Sequence, residues 1–236
     1  MSNILVIPDV HLKPEIFLKA ETVVESGACD RVVMLGDLPD DWGMEENINL
    51  YEKTYEIAAD FCERHNNTLF CYGNHDISYI WQALETGYSS AARDTVLNGM
   101  DKIKSVLPEE NVAFIHRIDN VLFSHAGLAM SFVLEHFGYG GSPDIDMILD
   151  RVNRMGYHEL WKDNSPIWAR PQDGSMRLYP RDMLQVVGHT PVNHAVKEDN
   201  FLSLDVFSTY REGDPIGDSK FVIVDSMTQE YRVIDD

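Results

Sequence analysis

Leu69-Phe70-Cys71-Tyr72-Gly73-Asn74-His75-Asp76 contains four residues suited to a buried strand, then a glycine, then three polar side chains. Gly73 is expected to let the backbone turn sharply where the strand ends. Because open α/β sheets bind ligands at the carboxyl ends of their strands, the three polar side chains are predicted to project into a site there. Asn and Asp are also ordinary helix caps, so this octapeptide alone is equally compatible with a polar turn before a helix.

Two earlier stretches have the same order, a buried strand followed by polar groups. Residues 4–7 form a continuous apolar run, as expected for a strand covered on both faces, and Asp9 and His11 follow it. Residues 31–35 form a second such run, and Asp37 follows. Three predicted strands therefore end in groups that can bind metal ions.

Helices are predicted between these strands from the spacing of apolar residues. One begins near Pro14 and ends at Gly27, and another covers residues 45–65 with one apolar face. Strands that alternate with helices, each strand ending in an acid or an imidazole, are typical of a layered α/β enzyme.

Two strands in the second half of the chain also end in histidine. A hairpin is predicted from residues 112–115 and 121–123, and His125 follows its second strand. Residues 184–187 form another strand, and His189 follows. Further short strands at 201–206, 221–224 and 231–234 suggest an antiparallel second sheet or an extension.

The chain is predicted to form a single domain, 1–236, because its sequence contains no linker. A helical insertion is expected at about 77–107. Another helix is expected from Pro143, with Ser142 as its cap. Residues 156–183 are aromatic and irregular, which favours a lid over a plain connection.

The composition restricts the partners and the compartment. The formal net charge is −20, from 39 acidic and 19 basic residues, so bulk nucleic acid and membrane surfaces are not expected to bind. The three cysteines, Cys29, Cys62 and Cys71, lack metal-binding spacing and are interpreted as reduced core residues. With no apolar run of membrane-spanning length and no export signal, we expect a cytoplasmic protein.

The polar groups at the strand ends have the composition of a two-metal hydrolytic site. They are Asp9, His11, Asp37, Asn74, His75, His125 and His189. Such a site needs a carboxylate that bridges both ions, further oxygen and imidazole ligands, and open positions for water and phosphate. Ligands of this kind without thiolate suit manganese, iron or zinc better than magnesium. Singly, each residue is also explained as a helix cap or a core histidine, but the whole set is not.

These residues carry a family resemblance. The order Asp9-x-His11, Gly36-Asp37-x-x-Asp40, Gly73-Asn74-His75-Asp76, His125, Gly188-His189 resembles the calcineurin-like metallophosphoesterases. It is most similar to the branch of serine/threonine protein phosphatases, phage lambda phosphatase and bacterial relatives. The resemblance covers residues 4 to about 206. It implies an α/β fold, a four-layer α/β/β/α sandwich of two mixed sheets flanked by helices.

The resemblance also implies a role for each residue. Asp9 and His11 would bind the first of two divalent ions, Asp37 would bridge both, and Asn74, His125 and His189 would bind the second. Manganese is the ion expected first, with iron or zinc as alternatives.

The resemblance further implies that a hydroxide bridging the two ions attacks phosphorus in line. His75 would be the general acid, oriented by Asp40, and Arg170 and Asn74 would bind the substrate phosphate. An imidazole whose tautomer is held by a carboxylate suits proton donation near neutral pH. Arg170 rests on a three-residue match, so a surface arginine is the alternative interpretation.

One position departs from the family pattern. The phosphatases have Gly-Asp-x-x-Asp-Arg-Gly, with the arginine on the phosphate, whereas Asp41 stands in the arginine's place here. Arg181 and Lys13 are candidates to replace the missing cation.

The departure leaves the choice of substrate open. The first hypothesis is a phosphomonoesterase acting on a phosphoprotein, a small molecule or a nucleotide. The second is a phosphodiesterase or nucleotide pyrophosphohydrolase, since a diester carries one charge fewer. The third is a scaffold without catalytic activity, which the complete ligand set opposes.

Overall fold

Two facing β-sheets with helices on their outer surfaces form the core of the protein, in a computed structural model that describes residues 2–138 and 144–234. The first sheet has six strands in the spatial order β11 (Tyr231–Val233), β10 (Val222–Asp225), β1 (Asn3–Ile7), β2 (Arg31–Met34), β3 (Leu69–Cys71) and β4 (Val112–Ala113). The second has five, in the order β5 (Ile115–Ile118), β6 (Val121–Ser124), β7 (Leu184–Val187), β9 (Phe201–Ser203) and β8 (Val196–Glu198).

The helices cover the outer face of each sheet. They are α1 (Glu15–Glu25), α2 (Ile48–Arg64), α3 (Asn74–Trp81), α4 (Arg93–Val106), α5 (Met130–Phe137), α6 (Ile145–Val152) and α7 (Tyr157–Leu160). No helix among the described residues is both long enough and apolar enough to cross a lipid bilayer.

Alternate residues of each strand face different layers, which produces the four-layer arrangement. Ile4 and Val6 of β1 pack with Phe123 of β6 in the apolar layer between the sheets. Leu5 of the same strand faces outward and packs with Phe17 of α1. The predicted α/β/β/α sandwich of two mixed sheets is therefore confirmed.

Parallel pairing brings the carboxyl ends of several strands to one edge. In the first sheet β1, β2 and β3 are parallel, with Ile7 opposite Met34 and Met34 opposite Phe70. In the second sheet β6, β7 and β9 are parallel to one another. The loops that follow these strands carry the polar residues singled out in the sequence, so the sheet topology places those residues near each other.

The observed strands differ from the sequence predictions in the second half of the chain. The predicted single strand 112–115 is in fact β4 and the start of β5, which lie in different sheets. The chain changes sheet at Phe114, where the backbone N–H groups of Phe114 and Ile115 both donate to the Asn153 side-chain oxygen at 3.0 Å. The expectation of an antiparallel second sheet is wrong for β7 and β9. The last two strands, β10 and β11, extend the first sheet by antiparallel pairing, which agrees with the alternative expectation of an extension.

The helical predictions have mixed outcomes. Within the predicted insertion, α3 begins at Asn74, three residues before the expected start, and α4 ends at Val106. The predicted cap at Ser142 and first-turn Pro143 lie outside the described residues.

Cys62 and Cys71 are buried as expected, but Cys29 is only partly buried. The single-domain division, with its insertion and lid, stays a prediction.

Candidate metal centre

The loops at the common sheet edge line one cavity of about 570 Å³. Four of the polar residues singled out in the sequence have a left-handed backbone although none is glycine: His11 (φ 43°), Asp37 (φ 50°), Asp40 (φ 65°) and His189 (φ 65°). Such conformations are costly for residues with a Cβ and cluster at sites where the geometry serves a function. All four line the cavity.

Four side-chain atoms from both sheets converge on one point. His125 Nε2 lies 2.9 Å from Asn74 Oδ1, 3.1 Å from His189 Nδ1 and 3.2 Å from Asp37 Oδ2. The backbone carbonyl of Leu35 accepts from His125 Nδ1 at 2.9 Å, which leaves Nε2 facing the cluster. An imidazole held this way by a carbonyl is the usual arrangement of a metal ligand.

A second group shares Asp37 with the first. Ligand atoms of Asp9, His11 and Asp37 lie within 4.8 Å of one another. The Nδ1 atom of His11 contacts the carbonyl of Asp40 at 2.8 Å, so its Nε2 faces Asp37 Oδ2 at 3.9 Å. Asp37 is therefore the one residue common to both groups of possible ligands.

The chemistry of these groups fits a pair of divalent cations. Asp9 Oδ2 is buried and has no hydrogen-bond partner within the described ranges, which is costly unless a cation binds there. Burial and the nearby carboxylates of Asp205 and Asp37 raise the pKa of Asp9 well above its usual value. A bound cation would offset the repulsion among these carboxylates. The candidate ligands are carboxylate, amide and imidazole groups, which Mn, Fe and Zn accept.

The charges within the centre already favour an ionised Asp37. Burial opposes ionisation, but the imidazoles of His125 and His75 outweigh it and hold the pKa of Asp37 below its usual value. For His189, burial and the neighbouring His125 lower the pKa well below its usual value, so this ring is neutral. A neutral imidazole is the form that binds a metal.

Two glycines allow the loops to approach this closely. A Cβ atom at Gly73 would collide with Asp37 Oδ1, and one at Gly188 would collide with Asp9 Oδ2. The chain does pass from β3 to α3 at this point, but Gly73 has φ −90° and ψ 171°, an ordinary extended backbone, so the expected use of glycine's conformational freedom is wrong. Glycine is needed there for close packing and not for its conformational freedom.

Asp76 joins two of the loops that hold the ligands. Its carboxylate accepts from the backbone N–H groups of Gly73 at 2.9 Å, Asp37 at 2.7 Å and Leu38 at 3.1 Å. The bond from Gly73 caps the N-terminus of α3, whereas the bonds from Asp37 and Leu38 connect α3 to the loop after β2. Burial, together with the charge of Asp37, raises the pKa of Asp76 to about 7 against the effect of these donors.

Replacing Asp76 by alanine is expected to destabilise the metal-free protein by about 3 kcal/mol or more, because three buried N–H groups lose their acceptor at ~1–3 kcal/mol each. Urea unfolding of metal-free protein measures this change. Asp60→Ala, at an exposed position of α2, is the matched control and should stay within about 0.5 kcal/mol of the wild type. Equal stabilities of the two variants would contradict the bracing role.

His75 and Asp40 form a dyad beside the ligand groups. His75 Nδ1 lies 2.9 Å from Asp40 Oδ2, and Asp40 Oδ1 accepts from the hydroxyls of Tyr51 at 2.8 Å and Tyr79 at 2.5 Å. Although burial opposes it, the charge of Asp37 and the bond to Asp40 raise the pKa of His75 to about 10. In the metal-free protein this imidazole is therefore protonated at neutral pH and can donate from Nε2.

Sequence reasoning missed two acidic residues here. Glu85, in the segment between α3 and α4, accepts from the Asn74 amide at 2.9 Å, which turns Asn74 Oδ1 toward His125. Its other carboxylate oxygen lies 3.7 Å from His75 Nδ1. Asp205, buried after β9, lines the same cavity. No motif marks Glu85, while the stretch Leu202-Ser203-Leu204-Asp205, which resembles bacterial members of the family, was the available signal for Asp205.

The structure places Arg170 on the cavity wall, where it donates to Thr190 Oγ1 at 3.1 Å. Neither candidate for the missing cation lines the cavity. Lys13 pairs with Asp41, and Arg181 pairs with Asp199 at 3.2 Å. Arg211, which the sequence analysis did not select, is the second arginine on the wall.

The structure thus brings together all six predicted ligands, Asp9, His11, Asp37, Asn74, His125 and His189, and sets His75, Asp40 and Arg170 beside them. Their individual roles stay predictions. Of the predicted lid, 156–183, Trp168 and Arg170 line the cavity, and the Trp168 ring stands edge-on to His189 at 5.5 Å between centroids.

Comparison with known proteins agrees with this geometry. A family model described as calcineurin-like phosphoesterase matches residues 2–215. A search of curated proteins finds no match to this chain.

The chain aligns at low sequence identity with the solved structures of a phosphatase and of a phosphodiesterase. A serine/threonine phosphatase from Saccharomyces cerevisiae, with similarity to human phosphatase PP5, aligns with a TM-score of 0.50 and 16% identity over 94% of this chain and 72% of that one. An archaeal phosphodiesterase aligns with a TM-score of 0.41 and 13% identity over 98% of both chains. At these identities the similarity concerns the fold alone.

Proposed function

The chain belongs to the calcineurin-like phosphoesterase family, and from that premise we propose that it hydrolyses phosphomonoesters. The observation that carries the proposal is the convergence of Asp37, Asn74, His125 and His189 atoms beside the His75–Asp40 dyad. A metal-binding cluster next to a protonated imidazole is what hydrolysis of an ester with a poor leaving group requires.

Each group has a defined task in this proposal. Two divalent ions, held by the six ligands, would supply an activated water and polarise the phosphoryl oxygens. His75 donates its Nε2 proton to the departing oxygen, and Asp40 holds the ring by accepting from Nδ1 at 2.9 Å. Arg170, with its planar guanidinium on the cavity wall, binds the remaining phosphate oxygens.

The proposal extends to the metal and the compartment. Manganese is the first choice because the ligands mix carboxylate, amide and imidazole without thiolate. The three cysteines are free, which supports a reducing, cytoplasmic environment.

Phosphodiester hydrolysis is the second candidate, and the acids at the cavity favour it. Glu85 lines the wall near the dyad and is not a ligand in the proposed centre, and Asp41 lines the same wall with its charge partly offset by Lys13 at 2.9 Å. Negative charge there repels the dianion of a monoester more strongly than the monoanion of a diester.

Parallel assays with p-nitrophenyl phosphate and bis-p-nitrophenyl phosphate in the presence of Mn²⁺ test these alternatives. We expect the monoester to be hydrolysed with the higher kcat/KM, because Arg170 and two cations compensate its charge. Faster hydrolysis of the diester would support the second candidate instead. Absence of turnover for both by protein shown to bind Mn²⁺ would contradict both and support a scaffold.

A further inference from the structure

Two large aromatic side chains stand exposed at the mouth of the cavity. Trp42 is 43% exposed and Tyr210 is 54% exposed, although most aromatic residues of this protein pack in its core. Both line the cavity that also contains His11 and His189. The two rings are therefore continuous with the metal centre and open to solvent.

The loops that carry these rings are tied to each other through Asp41. Its Oδ1 accepts from Thr209 Oγ1 at 2.9 Å, and its Oδ2 accepts from Lys13 Nζ at 2.9 Å. Trp42 directly follows Asp41, and Tyr210 directly follows Thr209. The hydrogen bond therefore fixes the two aromatic residues on neighbouring loops across the mouth.

The backbone around each ring is also held in place. The N–H of Trp42 donates to Asp41 Oδ1 at 2.9 Å. Tyr210 donates its N–H to the Asp214 carbonyl at 2.8 Å and accepts from the Gly213 N–H at 2.9 Å, which closes a tight turn. Rings on braced loops can offer a preformed face to a ligand, since little conformational entropy is lost on binding.

The remaining groups at the mouth narrow the choice of ligand. Arg211 follows Tyr210 and provides a planar cation, which stacks well on an aromatic ring. Asp41 and Thr86 provide oxygen acceptors for hydroxyl or amino groups. The net charge of −20 disfavours a polynucleotide, so a small molecule with one planar ring fits this surface better.

We propose that Trp42 and Tyr210 form a subsite for the planar base of a nucleotide whose phosphate is bound at the metal centre. This subsite rests on the proposed phosphoesterase function and specifies the alcohol part of its substrate. A cavity of about 570 Å³ has the size of a small-molecule site. Bases stack on exposed aromatic side chains with little dependence on sequence because every base has a π face.

Adenosine 5′-monophosphate and ribose 5-phosphate provide a matched pair for the test. Both carry the phosphate on the primary 5-hydroxyl of ribose, and only the nucleotide carries a base. We expect the Mn²⁺-loaded wild type to hydrolyse the nucleotide with a kcat/KM at least about tenfold higher, the size expected from one base–aromatic stack. In Trp42→Leu and in Tyr210→Leu, this preference should fall toward equality.

Conservative variants separate stacking from a structural effect. Trp42→Phe and Tyr210→Phe keep a ring at each position and should keep most of the preference. Tyr157→Leu is the control, because Tyr157 is 41% exposed but lies in α7 outside the cavity lining, and it should keep the full preference. Loss of preference in Tyr157→Leu as well would overturn the assignment.

Failure of the subsite and failure of the proposed function give different results. Equal hydrolysis of both phosphates by the wild type, or a nucleotide preference that survives both leucine variants, would overturn the subsite and leave the phosphoesterase in place. If neither phosphate is hydrolysed, turnover of p-nitrophenyl phosphate decides whether the phosphomonoesterase proposal fails, and calorimetric binding of the same pair tests the subsite alone. Equal affinity for both would then overturn it, and tighter nucleotide binding lost in Trp42→Leu would support it.

Discussion

Asp37→Asn is expected to abolish binding of both metal ions and to reduce hydrolysis to the background rate. The carboxylate is common to both ligand groups, and its Oδ2 lies 3.2 Å from His125 Nε2 and 3.9 Å from His11 Nε2. An asparagine can still accept the hydrogen bond of 2.9 Å from the backbone N–H of His75. At the bridging position it offers only a neutral oxygen or an NH₂ group. The loss should exceed the ~10–100-fold effect of mutating an outer partner of a metal ligand.

Isothermal titration with Mn²⁺ and the p-nitrophenyl phosphate assay measure the two effects of Asp37→Asn separately. Asp60→Asn, an exposed acid on α2, is the matched control and should bind metal as the wild type does. Two-site binding or full activity in a folded Asp37→Asn protein would rule out the bridging role.

His75→Asn is expected to keep metal binding and to lose turnover. The imidazole lies outside the two ligand groups, and its dyad partner Asp40 holds it at 2.9 Å. Removing a general acid costs ~10²–10⁴-fold in rate. The loss should be largest for alkyl phosphates, whose leaving oxygen needs a proton, and smallest for p-nitrophenyl phosphate, whose leaving group departs as a stable anion.

The dependence on the leaving group is the decisive measurement for His75→Asn. Asp40→Asn should reduce the rates in the same order, because it removes the acceptor that orients the ring. His158→Asn, at an exposed position in α7, provides the control. An equal reduction for both classes of ester, with metal binding intact, would assign His75 to substrate binding instead of proton donation.

The site was predictable from the sequence to the extent that every candidate ligand follows a predicted strand. Asp9, His11, Asp37, His125 and His189 all come shortly after an apolar run, and parallel pairing brings the ends of those runs together. This inference needs only the period of the strands and the rule that their carboxyl ends meet. The candidate metal-binding residues could therefore be named before any distance was known, and the family resemblance separated His75 from them.

The surroundings of the site were not predictable in this way. Glu85 contacts Asn74 from an irregular segment that has no periodic pattern. Asp41 is tied to Thr209 across 168 residues of sequence. No local rule couples residues so far apart, so the acid at position 41 could be noticed only as a departure from the family pattern.

The strand pattern alone determined the layered α/β class and the strand ends that carry the ligands, because apolar periodicity is a local property of the chain. The family resemblance added the expectation of two facing sheets in four layers. Tertiary structure decided where the chain changes sheet at Phe114, which Asn153 holds in place. It also decided that Asp76 braces two loops and that Asp41 joins the loops of Trp42 and Tyr210. These contacts depend on where distant backbone segments meet, and that is set only when both sheets pack against each other.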